Sequence, residues 1–179
     1  MSRHAFILGG TGQVGRAVAS EFLSANWRVT ISHRGGRPAP EDLVERGAMV
    51  VTLDRDNPGQ LSRVLGTGAD ALVDTTAYER NHGSQLISLQ GSVGSFVVIS
   101  SASVYRDDLG RSLDEASQHG FPELRDPIPE THATVDPGPT TYSTRKVALE
   151  RHLLDDATTP VTILRPCAIH GPNSRHPRE

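Results

Sequence analysis

Three glycines spaced three apart, Gly9, Gly12 and Gly15, constrain the fold of this chain more than any other feature of its sequence. They directly follow a short apolar run at 5–8, and helix-period residues follow them up to residue 25. In such a series the first glycine permits a tight turn, and the last allows a helix to pack closely on a strand. The sequence therefore predicts a buried strand, a sharp turn and a helix, in that order.

The alternation of strand and helix continues along the whole chain. Short apolar runs predict strands at 5–9, 28–32, 48–53, 69–74, 95–100 and 161–165. Helices are predicted between them at 12–25, 41–46, 59–65, 85–90 and 140–156. Runs that are apolar at every position, such as 96–99, are typical of strands covered by helices on both faces. We therefore predict an α/β fold, a doubly wound parallel sheet of about six strands in a single domain, 1–179.

Composition excludes several classes of partner. The formal net charge of −3 argues against nucleic acid or an anionic membrane as the main partner, although 17 arginines leave RNA open as an alternative. The apolar runs are too short to cross a membrane. Cys167 is the single cysteine, which excludes an internal disulfide and favours a reducing, cytoplasmic location. The eight histidines show no metal-ligand spacing, so we expect no metal.

Residues 106–139 interrupt the alternation. This segment contains few apolar residues, scattered acids and five prolines, namely Pro122, Pro127, Pro129, Pro137 and Pro139. A structureless loop of this length is unusual inside a compact domain, and such loops are often functional lids. A surface insertion without a role is an equal alternative.

The glycine turn also predicts a ligand. A glycine in the middle of the turn lets the backbone approach a pyrophosphate, and the N-terminus of the following helix offers unpaired N–H groups and a partial positive charge. Thr11, Gln13 and Val14 lie in the same turn and are predicted to contact the same phosphates. Because a strand precedes the turn and a helix follows it, the pattern indicates a dinucleotide cofactor.

The end of the second predicted strand indicates which dinucleotide is bound. A site specific for NAD carries an acid there, which bonds the 2′-hydroxyl of the ribose, but this chain has none at 32–37. Arg34 can instead bond a 2′-phosphate and stack on adenine, and Ser32 can add a hydrogen bond. The pattern favours NADP(H) over NAD(H). A solvated basic turn that contacts no ligand remains the alternative.

Tyr142 and Lys146 are four residues apart early in the last predicted helix, which places them on one face. Lys146 is the only lysine in a chain with 17 arginines, so a compact ammonium stands where a guanidinium would be a poor replacement. That ammonium would lower the pKa of the phenol from about 10, so that Tyr142 could act as a general base. Lysine can also hold the ribose of a cofactor.

Three serines, Ser100, Ser101 and Ser103, follow the fifth predicted strand. Ligands of open parallel sheets bind at the carboxyl ends of the strands, where a hydroxyl can donate to a substrate oxygen and stabilise developing charge. The pattern does not choose among the three, and any of them can instead cap a turn.

Together these motifs resemble the extended short-chain dehydrogenases/reductases, which include UDP-galactose 4-epimerase and nucleotide-sugar dehydratases. The glycine turn, Ser-Ser-Ala-Ser-Val-Tyr at 100–105, Tyr142 with Lys146, and the closing segment 164–172 occur in the family's order. The resemblance covers essentially the whole chain. It implies an NAD(P)-dependent reductase, epimerase or dehydratase that moves hydride and a proton at an alcohol or ketone carbon of a small molecule, such as a sugar or nucleotide sugar. It also implies a homodimer paired through the helices around Tyr142.

The resemblance assigns roles to individual residues. It implies that Tyr142 is the acid/base, that Lys146 is its partner and a cofactor ligand, and that Ser101 is the catalytic hydroxyl. It further implies cofactor contacts at Asp54, beside adenine, and at Arg55, Thr76, Ala77 and, beside the nicotinamide, Pro166.

The sequence departs from the family pattern in three places. Arg106 stands where the family usually has glycine, and the 41 residues from Ser101 to Tyr142 are a long separation. The chain also ends at Glu179, just past the sixth predicted strand. We therefore expect a truncated, cleaved or split protein that lacks its C-terminal substrate lobe, and the activity predicted is that of the parent. A non-catalytic dinucleotide sensor or scaffold of the same fold is the alternative function.

Overall fold

The computed structural model of the protein describes residues 2–36 and 38–171 and contains one six-stranded parallel sheet. The strands lie in the order β3-β2-β1-β4-β5-β6. Their bounds are β1 His4–Leu8, β2 Arg28–His33, β3 Met49–Thr52, β4 Ala71–Asp74, β5 Phe96–Ile99 and β6 Val161–Leu164. Every pair of neighbours is parallel, which confirms the predicted doubly wound α/β fold.

Six helices connect the strands. Their bounds are α1 Gln13–Ser24, α2 Glu41–Glu45, α3 Gln60–Leu65, α4 Arg80–Ile87, α5 Ala116–His119 and α6 Tyr142–Asp156. In the described part of the chain, no helix is long and apolar enough to cross a membrane.

Successive residues of β1 point to opposite faces of the sheet, and each face has its own apolar cluster. Phe6 and Leu8 belong to the cluster that includes Leu149 and Leu153 of α6. Ile7 belongs to the second cluster, whose other buried members include Ala19 of α1, Val29, Ile31, Leu43 of α2 and Val73. Because both faces are covered there, the central strands β1, β4 and β5 are apolar at most positions, as the sequence predicted.

Helix α4 begins at Arg80, five residues before the predicted start at 85. Its first turn is polar and contains Gly83, so the sequence offers no apolar periodicity there. Gly83 is nevertheless buried against α6, where an added Cβ would lie 3.1 Å from the ring of His152. Packing between α4 and α6 therefore forms a helix that local propensity does not predict.

The segment 106–139 is more ordered than the expected structureless loop. It contains α5 and a 3₁₀ turn at Leu113–Glu115, and it is tied back by isolated bridges between Tyr105 and Thr134 and between Arg106 and Ser112. Backbone hydrogen bonds thus order a segment whose prolines and acids gave no periodic pattern in the sequence.

Candidate functional site

A cleft of about 540 Å³ opens at the carboxyl ends of β1, β2 and β4. The strand order reverses between β1 and β4, and ligands of open α/β sheets bind at such a switch point. Several residues that the sequence predicted for a cofactor line this cleft, namely Gly9, Thr11, Gly12, Ser32, Arg34, Arg55 and Thr76. The fold therefore brings the glycine turn and the end of β2 to one cavity.

The three glycines of the turn are required for different reasons. Gly15 has no room for a side chain, because an added Cβ would lie 2.3 Å from the Gly9 carbonyl oxygen and 2.7 Å from Gly10 Cα. Gly9 has a positive φ of 80°, which favours glycine. Gly12 has an ordinary φ of −80°, and an added Cβ would meet only the Gly9 oxygen, at 3.3 Å. Protein packing therefore accounts for Gly9 and Gly15, whereas Gly12 leaves the N-terminus of α1 open towards the cleft.

At the end of β2, the side chains of His33 and Arg34 line the cleft. Arg34 is exposed and, within residues 2–36 and 38–171, forms no salt bridge. Ser32 differs from expectation, because it is buried and its hydroxyl donates to the Ile7 carbonyl at 3.3 Å. The Ser32 hydroxyl thus donates its proton within the sheet, and the Arg34 guanidinium is available to bind an anion.

The segment after β3 forms the floor of the cleft in a way that the sequence did not predict. Asp54 is exposed, and its Oδ1 accepts the backbone N–H of Asp56 at 3.1 Å, so Asp56 rather than Asp54 lines the cleft. Arg55 is buried, with its Nη1 2.7 Å from Oδ2 of the fully buried Asp74. Its Nε donates to Gln85 at 3.0 Å. The guanidinium therefore has protein partners, and its contribution to the cleft is mainly structural.

Asp74 ends β4 and shapes the segment that follows. Its Oδ1 accepts the backbone N–H of Thr76 at 2.8 Å and the Thr76 hydroxyl at 3.0 Å. An acid at the end of a fully apolar strand was the only sequence signal of this role. Without its partners, such a buried carboxylate would be strongly unfavourable.

Lys146 crosses from α6 to the carboxyl ends of two strands. Its Nζ donates to the carbonyls of Ala77, at 2.6 Å, and Ile99, at 2.9 Å, and the residue is only 4% exposed. Burial lowers the pKa of Lys146 to about 8, while the carboxylates of Asp74 and Glu150 oppose that shift. Ala77, predicted to line a cofactor's path, is itself fully buried and contributes its carbonyl oxygen.

Tyr142 is the first residue of α6. It follows the N-cap residue Thr141, which forms a capping box with Thr144. Burial raises the pKa of Tyr142, whereas the nearby Ser101 side chain lowers it. This differs from the expected lowering by Lys146, whose ammonium donates to backbone carbonyls and lies 5.6 Å from the Tyr142 ring centroid. Burial therefore dominates the pKa of the free Tyr142 phenol.

The structure distinguishes the three serines that the sequence left open. Ser101 lies beside the Tyr142 phenol, and its Oγ accepts the N–H of Ser103 at 3.1 Å. The Ser103 hydroxyl accepts a hydrogen bond from Ser143 at 3.0 Å. Ser100 is buried, and its Oγ has no hydrogen-bond partner among the described residues. Of the three, Ser101 is the one that contacts Tyr142.

The remaining predicted residues lie at the margins of the site. Gln13 and Val14 form the first turn of α1. Pro166 follows β6, and its carbonyl accepts the N–H of Ala102 at 2.9 Å, which holds the serine segment against the end of the sheet. Pro172, the last residue of the closing motif, lies outside the described residues.

Tyr78 and His82 are among the cleft residues that sequence reasoning missed. Tyr78 lies between β4 and α4, His82 lies in the first turn of α4, and no motif marks them. The ring of Tyr78 packs edge-on against Tyr142, with centroids 5.1 Å apart. Burial, with the nearby charge of Arg55, lowers the pKa of His82. Across the part of the chain that is described, no cluster of three His, Cys, Asp or Glu side chains could hold a metal ion.

The profile of the NAD dependent epimerase/dehydratase family matches residues 5–179. The chain belongs to this family. A curated member, the 2′-dehydrokanamycin reductase of Streptomyces kanamyceticus, is 26% identical over 168 residues, which are 92% of this chain and 42% of the reductase. Membership in the epimerase/dehydratase family confirms the resemblance seen in the motifs.

Solved structures share the fold of this epimerase/dehydratase chain. Bordetella bronchiseptica WbmH, in complex with NAD+, matches with a TM-score of 0.74 at 20% identity, over 99% of this chain and 60% of WbmH. WbmG from the same organism, in complex with NAD and UDP, matches with a TM-score of 0.68 at 17% identity, over 92% of this chain and 53% of WbmG. The chain thus spans about half the length of the relatives it matches.

Proposed function

We propose that this chain is the cofactor-binding part of a cytoplasmic NADP(H)-dependent reductase or epimerase that acts on an alcohol or ketone carbon of a sugar-like small molecule. The proposal is supported chiefly by the position of Lys146, whose Nζ lies 5.6 Å from the Tyr142 ring centroid, and by the effect of the nearby Ser101 side chain on the Tyr142 pKa. The sugar class is supported by the aminoglycoside-related substrate in the name of the reductase and by the UDP bound in WbmG.

The cleft fits a dinucleotide. At Gly12 the absent side chain leaves the backbone approachable, and no side chain caps α1, so the N–H groups of its first turn are available to a pyrophosphate. Arg34, exposed beside this turn, would bond a 2′-phosphate. A nicotinamide, when bound, supplies or accepts the hydride.

The chain's own residues would handle the proton. Tyr142 would give its hydroxyl proton to the substrate oxygen in reduction and take it back in oxidation, and Ser101 would bond the same oxygen. Lys146 would hold the ribose and favour the tyrosinate through its charge. Because burial raises the pKa of Tyr142 in the free chain, the phenol starts protonated, as the reductive direction requires.

The cofactor proposal is tested by titrating the chain with NADPH and NADH. We expect Arg34→Ala to weaken NADPH binding about 10- to 100-fold, the effect of losing a charge-assisted hydrogen bond, and to leave NADH binding unchanged. Arg63→Ala is the matched control, since this exposed arginine of α3 donates only to a carbonyl one turn earlier. Equal affinity of the unmodified chain for NADPH and NADH would contradict the choice of NADP(H).

The catalytic proposal is tested on the full-length parent protein, by following the nicotinamide absorbance with a panel of keto sugars. We expect Tyr142→Phe to lower turnover at least about 100-fold, as removal of a general acid does, with cofactor affinity retained. Tyr105→Phe is the control, because its hydroxyl contacts Arg165 at 3.2 Å and lies in another cluster. Cofactor binding without any hydride exchange would favour the non-catalytic sensor or scaffold instead.

A further inference from the structure

Tyr78 is an aromatic residue at the boundary between the cleft and the proposed proton-transfer group. It lines the cleft, is 39% exposed and lies on the segment between β4 and α4. Its ring meets the Tyr142 ring at an interplanar angle of 68°, with centroids 5.1 Å apart. Edge-to-face pairs of this kind are favourable and directional.

Contacts on both sides fix the position of Tyr78. The Arg145 guanidinium lies 4.9 Å from the centroid of its ring, and Arg145 Nε donates to the Thr141 carbonyl at 3.2 Å, so the cation is itself anchored at the start of α6. The backbone N–H of Tyr78 donates to His82 Nδ1 at 2.8 Å. The preceding carbonyl, of Ala77, accepts from Lys146 at 2.6 Å.

The ammonium of Lys146 lies at nearly equal distances from the two aromatic rings, 5.8 Å from the Tyr78 centroid and 5.6 Å from the Tyr142 centroid. The backbone before Tyr78 and the proposed catalytic phenol are thus both set by one buried side chain. No hydrogen bond within the described residues involves the Tyr78 hydroxyl, so its contacts there are made by its ring and backbone.

We infer that Tyr78 is a positioning residue, whose ring orients the Tyr142 phenol towards Ser101 and the cleft; the inference rests on the proposed function. The edge-to-face contact and the cation beneath Tyr78 both require an aromatic ring and neither requires a hydroxyl. Tyr78→Phe therefore preserves both contacts, whereas Tyr78→Leu keeps an apolar side chain of moderate size and removes them.

The kinetic test compares these two variants of the full-length parent protein in hydride exchange. We expect Tyr78→Phe to keep kcat within about twofold and Tyr78→Leu to lower kcat roughly 10-fold, as expected for a lost aromatic pair, with a smaller change in cofactor affinity. Phe121→Leu is the control, since this loop aromatic is 73% exposed. A Phe variant as impaired as the Leu variant, or a Leu variant with unchanged kcat, would overturn the inference.

A second test needs no turnover. The pKa of Tyr142 is obtained from the ultraviolet difference between each Tyr78 variant and the same variant carrying Tyr142→Phe. Because burial raises that pKa and the Tyr78 ring packs against the Tyr142 ring, we expect Tyr78→Leu to lower it and Tyr78→Phe, which keeps the ring, to leave it closer to the unmodified chain. An unchanged pKa in Tyr78→Leu would refute the contact. Activity that survives Tyr142→Phe would instead refute the proposed function, and the titration would still report on Tyr78.

Discussion

Two regions of the molecule are held in place by different interactions. One is the sheet edge, which is formed by the carboxyl ends of β1, β2 and β4 around the cleft, and the other is the loop 106–139. At the sheet edge, Phe6 and Ile7 of β1 are buried in two apolar clusters, and the Arg55–Asp74 pair closes the floor beneath the cleft. Burial on both faces fixes the backbone there before any ligand arrives.

The loop has little core of its own, since Leu109 and Phe121 are 79% and 73% exposed. It is organised around the carboxylate of Asp107. Oδ1 of that residue accepts the N–H groups of Leu109, at 3.0 Å, and Arg111, at 2.8 Å; Oδ2 accepts the N–H of Glu123 at 3.1 Å and Arg111 Nε at 2.7 Å. The contrast shows that apolar burial holds the cleft in place, whereas hydrogen bonds to one carboxylate hold the neighbouring loop.

Removal of the buried carboxylate at the sheet edge is expected to have the largest effect. Asp74→Ala leaves the Arg55 guanidinium buried without its partner, which should reduce the free energy of unfolding by about 3–5 kcal/mol in urea titrations. Asp42→Ala, which breaks an exposed pair with Arg16, should cost less than about 1 kcal/mol. Equal stabilities of the two variants would show that the sheet edge does not depend on its buried pair.

The glycine turn provides the next test. Gly15→Ala places a Cβ against the Gly9 carbonyl and should cost about 3 kcal/mol, the upper end for overpacking, along with cofactor binding. Gly12→Ala should cost less stability than Gly15→Ala, because its φ of −80° suits any residue and its added Cβ would meet only the Gly9 oxygen, at 3.3 Å, yet it should bind NADPH weakly. Thermal unfolding and cofactor titration separate the two. Tight NADPH binding by Gly12→Ala would contradict the proposed phosphate site.

Lys146 should make the stability of the sheet edge depend on pH in the alkaline range. Its pKa is about 8 when folded, against 10.5 for an ordinary lysine, so between these values the unfolded chain binds more protons and the free energy of unfolding rises with pH. We expect a rise of about 2 kcal/mol relative to Lys146→Met, because each tenfold difference in proton affinity is worth roughly 1.4 kcal/mol and residual solvation reduces the full effect. Parallel stability–pH curves for the two proteins would contradict this.

The smallest effect on the stability of the whole domain is expected from a substitution in the loop 106–139. Desolvation opposes the ionisation of Asp107, but hydrogen bonds from Glu123 and Arg111 outweigh it and lower its pKa to about 2. Because the folded-state pKa of Asp107 is depressed, the stabilisation of the loop by this carboxylate is present above about pH 4. It is lost as the pH falls through about 2. Asp107→Asn should leave the unfolding midpoint almost unchanged and accelerate proteolysis within 106–139, whereas exposed Asp108→Asn should do neither.

Much of the fold could be predicted because it follows from local patterns. Apolar runs located all six strands, since strands buried on both faces need apolar residues at every position. The start of α4 at Arg80 could not be predicted, because its polar first turn is stabilised by α6.

Some features of the candidate site could likewise be predicted from local patterns, and others could not. Spacing indicated that Tyr142 and Lys146 share a helix face, and their functional roles stay predictions. The position of the serines after the fifth strand did not favour Ser101 over its neighbours, and only the family resemblance selected it. No pattern indicated that the Ser32 hydroxyl donates to the Ile7 carbonyl. Such choices depend on which backbone atoms come within hydrogen-bond distance, which the packed sheet determines.

The amino-acid sequence was sufficient to specify the parallel sheet, the glycine turn and the Tyr142–Lys146 face, because each arises from residues close together in the chain. Three contacts could be known only from the folded molecule: Arg55 pairs with Asp74, Lys146 bonds two strand ends, and Tyr78 packs on Tyr142. These contacts join residues 19 to 69 positions apart, and the assembled sheet is what brings such residues within reach of one another.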